Sequence, residues 1–215
     1  MYKEISCYDK DTTEHIVTES IFTALKHDFH GVSVPAYYLP LAKDLIPDGF
    51  VVASSVDYPG GLSSTGVRCH SSINIIRAGA NAVDLVANSN LLVNRKFKKF
   101  KEDIEANYKI CQDNNCSLRV MFEYRIYDKN SLILAACDII RSVGVDYIFP
   151  STGSMVDDIE DSIVVGFLLQ KKKELNVICN ANIWRKEDYE KVENSGVFGI
   201  RIKSRNAVKN IFGVL

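Results

Sequence analysis

Short runs of apolar residues, or of apolar and polar residues in alternation, recur along the chain at 2–7, 31–34, 50–56, 82–88, 117–123, 146–150, 176–180 and 199–203. Their length and their Val, Ile and Phe content predict strands. Between them lie stretches with apolar positions three and four apart, which predict helices over 13–26, 65–77, 97–111, 131–141, 156–173, 186–193 and 206–212, with a shorter one at 38–45. The 97–111 stretch is the most regular, with Phe100, Ile104, Tyr108 and Cys111 on one face. Thr13 followed by Glu14 has the composition of a helix start, and Ala78-Gly79 that of a helix end. Strict alternation of strand and helix predicts parallel strands joined by helical crossovers. Eight such units predict a closed (β/α)8 TIM barrel in a single domain, residues 1–215. The competing open doubly wound sheet would carry a Gly-rich turn after its first strand. Here that strand runs into Tyr8-Asp9-Lys10.

Charge narrows the picture. With 26 Lys+Arg against 27 Asp+Glu, the formal net charge is −1, which argues against nucleic acid as a partner. No apolar run is long enough to span a bilayer, so no membrane partner is expected. Met1-Tyr2-Lys3-Glu4 has no apolar core behind it of the kind a signal peptide needs. The six cysteines are scattered, and the Cys111/Cys116 pair has no second pair to complete a zinc site. The expectation is therefore a cytoplasmic protein with reduced thiols, no metal and no cofactor.

Several blocks carry chemistry. Val32-Ser33-Val34 precedes Tyr38-Leu39-Pro40-Leu41-Ala42-Lys43, and Tyr58-Pro59-Gly60-Gly61 precedes Ser63-Ser64-Thr65. Gly79-Ala80-Asn81-Ala82-Val83-Asp84 and Leu118-Arg119-Val120-Met121-Phe122-Glu123 follow, then Ser151-Thr152-Gly153 and Glu187-Asp188. In this order and spacing the set resembles the deoxyribose-phosphate aldolase family. The resemblance implies a TIM barrel, lyase activity of the class I aldolase type and a place in carbohydrate metabolism. It also implies a role for Asp84 in proton transfer.

The same resemblance exposes departures. The family's Schiff-base lysine on the sixth strand corresponds to Phe149, within Tyr147-Ile148-Phe149-Pro150, and its second lysine, on the seventh, corresponds to Ile178. Neither side chain can form an imine. The family's glycine pair after strand seven corresponds to Ala181-Asn182. Its glycine-containing turn after strand eight corresponds to Arg201-Ile202-Lys203-Ser204-Arg205. A backbone nest for phosphate needs glycines for close approach.

The resemblance implies that Asp84 points into the barrel; strand alternation turns Arg119, Glu123, Arg201 and Lys203 inward as well, and buried charges there must pair. Two readings stay open. One is a closed salt-bridge network with an inert pocket, hence a catalytically inactive barrel that binds a ligand or partner. The other is a remodelled site for a small phosphorylated or carbonyl ligand. In that site Asp84, Glu123 and Lys203 would carry acid–base chemistry, and Arg119, Ser151, Thr152, Gly153, Asn180, Arg201 and Arg205 would hold substrate or anion. Lys203 is also a candidate amine nucleophile. Tyr147, Ser33 and Asp57 are further candidates to line the cavity. A homo-oligomer is compatible with the sequence.

Overall fold

The structure, a computed structural model, describes residues 1–127, 130–155 and 157–213. Eight parallel strands close into a barrel in sequence order: β1 (Tyr2–Ser6), β2 (Gly31–Ser33), β3 (Val51–Val56), β4 (Ala82–Val86), β5 (Ser117–Met121), β6 (Tyr147–Phe149), β7 (Asn176–Cys179) and β8 (Gly199–Ile202). β1 pairs with both β2 and β8, which closes the ring.

The crossovers are α1 (Glu14–Lys26), α2 (Leu39–Leu45), α3 (Thr65–Arg77), α4 (Ser89–Val93), α5 (Phe97–Asp113), α6 (Asn130–Val143), α7 (Ile159–Lys173), α8 (Lys186–Asn194) and α9 (Arg205–Phe212). The helix expected over 156–173 is thus observed from Ile159, and Val156 lies outside the described residues. The one-turn helix α4 was not foreseen; Asn88 caps it by accepting from the Leu91 N–H at 3.3 Å. Thr13 caps α1 as expected, its Oγ1 accepting from the Ile16 N–H at 3.2 Å. Along α5, Phe100, Ile104 and Cys111 are fully buried, so the three- and four-residue spacing does face the strands. Among the described residues no helix is long and apolar enough to cross a membrane.

Two apolar layers follow from strand alternation. Outward residues such as Ile5, Val32, Val52, Leu85, Val120, Ile148, Val177 and Ile200 pack under the helices in one continuous core. Inside the barrel the apolar content is small: Val86, Met121, Phe149 and Ile178, with Tyr2, Tyr147 and Phe198 packed against them.

The middle of the interior is charged. Glu4 stands beside Arg201 across the β1–β8 pairing, and Asp84 beside Arg119 across β4–β5. Each carboxylate also reaches the guanidinium on the far side. Glu4 Oε2 accepts from Arg119 Nη1 at 2.7 Å, and Asp84 Oδ2 accepts from Arg201 Nη2 at 2.5 Å. Arg119 Nε donates to Asp84 Oδ1 at 2.6 Å, and Arg201 Nε donates to Glu4 Oε1. The four side chains form a closed ring of two cations and two anions, all essentially buried. Tyr2 adds a hydrogen bond to Glu4 at 2.7 Å, and Ser33 one to Asp84 at 3.3 Å. Phe149 caps the ring, with its centroid 4.1 Å from the Arg201 guanidinium carbon and 5.2 Å from that of Arg119.

Burial alone would raise the Glu4 pKa. Arg119 and Arg201 outweigh it and hold the carboxyl down at about 2, below its ordinary 4.5. A depressed carboxyl contributes stability above its unfolded pKa and loses it as pH falls towards the folded value. Acid titration followed by circular dichroism should therefore show the Glu4 contribution fading between about pH 4.5 and about pH 2. Glu4→Gln should remove that component and destabilise the barrel by about 3–5 kcal/mol in urea, because it leaves the guanidiniums short of one buried counter-charge.

Candidate functional site

The C-terminal mouth of the barrel holds a polar cavity of about 130 Å³. Its walls come from the ends of five strands and the loops beyond them: Ser6 on β1 with Tyr8 and Asp9 past it, Ser55 on β3 with Tyr58 past it, Thr152 and Gly153 after β6, Asn180 after β7, and Arg201 on β8 with Lys203 just past it.

The loop after β6 is shaped by what it binds. Gly153 has φ +73°, a left-handed conformation that favours glycine, and its carbonyl accepts a hydrogen bond from Lys203 Nζ. A Cβ at Gly153 would collide with the Lys203 side chain and come within 2.9 Å of the Asn180 carbonyl oxygen. Asn180 Nδ2 donates to the carbonyls of Ser151 at 3.3 Å and Thr152 at 2.8 Å, so it ties the loops after β6 and β7 together. Its Oδ1 is buried without a hydrogen-bond partner among the described residues. The Thr152 N–H donates to Glu123 Oε1 at 2.6 Å, and the Thr152 hydroxyl also bonds that oxygen. Tyr8 stands on the other wall, donating to the Val34 carbonyl at 2.9 Å and accepting from the Ser55 N–H at 2.6 Å.

Electrostatics sets two groups apart. Burial pushes the Lys203 amine below its ordinary 10.5, against the opposing pull of Glu123, Asp157 and Asp9. Burial also raises the Glu123 carboxyl above its ordinary 4.5, and Asp157 adds to this, although the Thr152 hydrogen bonds and Lys203 oppose it. Lys203 makes no salt bridge within 4.0 Å among the described residues, so it is a cation on the cavity wall outside the ring.

The structure thus divides the sequence-derived site residues. Lys203, Arg201, Asn180, Thr152 and Gly153 meet at the mouth, with Ser151 and Glu123 directly behind them. Asp84 does not reach it. Both its oxygens are occupied within the ring, because β4 places it one layer deeper. Arg119 and Tyr147 open towards the opposite, N-terminal end. Arg205, at the start of α9, turns to Glu19 of α1 at 3.5 Å and does not line the cavity. Ser33 bonds Asp84, and Asp57 accepts from the Ser63 N–H at 2.7 Å and lies 4.0 Å from Arg68, so neither lines the cavity. Phe149 and Ile178 lie on the barrel axis in apolar contact, fully buried.

Sequence reasoning missed Glu4, Tyr8, Asp9 and Tyr58. Glu4 had a signal: Ile5 suits the helix-facing side, so its neighbour had to point inward. Tyr8, Asp9 and Tyr58 sit past their strand ends, where alternation no longer assigns a direction.

Comparison with known proteins follows the geometry. No family model matches the chain. It is 28% identical over 144 residues to a deoxyribose-phosphate aldolase of Histophilus somni, covering 66% of this chain and 63% of that protein. It is 29% identical over 168 residues to the deoxyribose-phosphate aldolase of Treponema denticola, covering 76% of each chain. The match to the Histophilus somni protein thus spans less than two thirds of that relative's length. In fold, it superposes on the tetrameric deoxyribose phosphate aldolase from Aeropyrum pernix with a TM-score of 0.84 at 19% identity, over 98% of this chain and 88% of that one. Sequence and fold together place this chain among the relatives of the deoxyribose-phosphate aldolase family, as an aldolase-like (β/α)8 barrel.

Proposed function

We propose that this barrel acts on a small phosphorylated sugar or aldehyde at its C-terminal mouth, by acid–base chemistry centred on Lys203 and Glu123 and without an imine at the sixth strand. The observation that carries the reading is the meeting of an amine and a carboxyl at one cavity. An amine pushed down by burial lines the wall, and a carboxyl pushed up by burial stands behind Thr152. Burial disfavours the charged form of each, which suits the two groups to proton exchange with a ligand. In this scheme Lys203 gives and takes the proton at the ligand's carbonyl or hydroxyl. Glu123, through the Thr152 hydroxyl, resets its charge, and the Asn180 Oδ1 accepts from a ligand hydroxyl. Asp84 serves as the anchor of Arg201, whose guanidinium edges the cavity.

By the family resemblance, Phe149 and Ile178 occupy both lysine positions, and the ring of Glu4, Arg119, Asp84 and Arg201 fills the space around them. This supports a second reading, a catalytically inactive barrel that keeps the fold as a ligand- or partner-binding scaffold. The Aeropyrum pernix relative is described as a tetramer, and a homo-oligomer is part of our reading of this chain. So is a reducing cytoplasmic setting, which suits six free cysteines.

Turnover and trapping separate these alternatives. Acetaldehyde release from 2-deoxyribose 5-phosphate should be slower than roughly 1 per second. With whichever small aldehyde or sugar phosphate is turned over, Lys203→Met and Glu123→Gln should each lower the rate about 100-fold or more while the melting temperature stays close to that of the parent. Borohydride reduction during turnover should leave the intact mass unchanged. A trapped adduct on Lys203 would replace the acid–base reading with an imine. Neither turnover nor calorimetric heat at millimolar ligand would favour the inactive barrel.

Phe149→Lys tests the same site from the other side. It adds a third cation against two guanidiniums and removes their aromatic cap. The expected outcome is a barrel destabilised by several kcal/mol with no gain in aldol cleavage, and Phe149→Lys with Ile178→Lys should be less stable still.

A further inference from the structure

The opposite end of the barrel holds a second cavity that the mouth chemistry does not use. At about 330 Å³ it is larger than the mouth cavity, and it opens among the starts of the strands. It exists because the first inward positions of β4 and β5 are Ala82 and Ser117, too small to fill the floor of the barrel. Aromatic rings form the facing wall. Tyr2 stacks on Phe198 with centroids 5.7 Å apart, and Tyr147 meets Phe198 edge-on at 5.6 Å. Ile178 and Arg119 form the inner end.

Arg119, at the inner end of this cavity, carries an unmet demand just behind the wall. Its Nε and Nη1 are bound to Asp84, Glu4 and Tyr2, but its Nη2 is buried with no partner among the described residues. A buried guanidinium N–H without an acceptor is costly, and an acceptor oxygen brought by a ligand would relieve that cost. The charge of Arg119 is already balanced within the ring by Glu4 and Asp84, so the site asks for an acceptor rather than an anion.

We propose that this N-terminal cavity is a second binding site, for a small, neutral, planar compound with an apolar ring and one carbonyl-type oxygen. The ring lies against Tyr2, Tyr147 and Phe198, and the oxygen accepts from Arg119 Nη2. An apolar cavity of about 150 Å³ suffices to hold benzene, so the space is adequate for such a molecule.

Benzamide is the probe, with benzene, benzoate and inorganic phosphate as comparisons, each titrated into the intact protein and followed by NMR. Benzamide should bind saturably at one site, with a Kd of about a millimolar or tighter. Intermolecular Overhauser effects should connect its ring protons to those of Tyr147 and Phe198. Benzene, which lacks the acceptor, should bind at least about fivefold more weakly. Ser117→Phe, which fills the floor, should weaken benzamide about tenfold or more. The Overhauser contacts locate the site on the unmodified protein even if that variant does not fold. Absence of saturable binding, or contacts confined to Tyr8, Tyr58 and Lys203 at the mouth, would overturn the proposal. Benzoate binding about tenfold tighter than benzamide would overturn the neutral class of ligand.

Discussion

Two carboxylates and two guanidiniums shut inside a barrel can persist only if each is neutralised by another, and this requirement organises the interior. The β1–β8 and β4–β5 registers set Glu4 beside Arg201 and Asp84 beside Arg119. Each acid then bonds the base on the far side, so the ring ties β1 to β5 and β4 to β8 across the barrel. Breaking any one member strands a charge in a place water does not reach, whereas the intact set is neutral. A ring of this kind contributes less to net stability than to the choice of one register among several, since a shift of any of the four strands would unpair two ions at once.

Phe149 belongs to this unit. By the family resemblance it stands where a lysine would be, and a cation at that point would sit against both guanidiniums. An aromatic face there does the opposite, since its negative quadrupole is matched to positive charge. Arginine at 201 and phenylalanine at 149 are therefore mutually consistent, and each would be awkward without the other. The same logic moves chemistry outward. The charged groups of the interior layer are taken up by one another, so an amine available to a ligand must lie nearer the mouth, where Lys203 is half-buried and, among the described residues, bonded only to the Gly153 carbonyl.

The sequence made much of this legible because period-two alternation assigns a direction to every strand residue. That rule, with the inward parity of Asp84 taken from the family resemblance, yields the inward set of Asp84, Arg119, Glu123, Arg201 and Lys203. The structure turns Asp84, Arg119 and Arg201 inward from their strands, whereas Glu123 and Lys203 lie just past the ends of β5 and β8. Alternation is silent on depth. It gave no means of seeing that Arg119 faces the floor while Lys203 faces the mouth, or that Asp84 lies between them, because depth depends on the stagger of eight strands that are far apart in sequence. Glu4 is hard to see because length and apolar content mark 2–7 as a strand without fixing which of its residues turn in. Arg205 lies just past the eighth strand, in the turn that by the resemblance replaces a glycine-containing one, and that position suggests a place in the site. The Ser204 cap redirects the chain into α9 there, and the side chain follows the helix to Glu19.

Stagger also explains why the molecule presents two unlike cavities. The charged ring and the four apolar residues around it form a plug roughly midway along the axis, so the mouth and the floor do not communicate. Above the plug the walls are loop residues with hydroxyl, carboxamide and amine groups, the setting for polar ligands and proton transfer. Below it they are strand starts, where aromatic rings and small residues form the walls and Arg119 supplies the charged group. Arg119 and Arg201 belong to the same ring and share the carboxylates of Glu4 and Asp84, yet they border different ends, so the two cavities differ in character while resting on one charge balance.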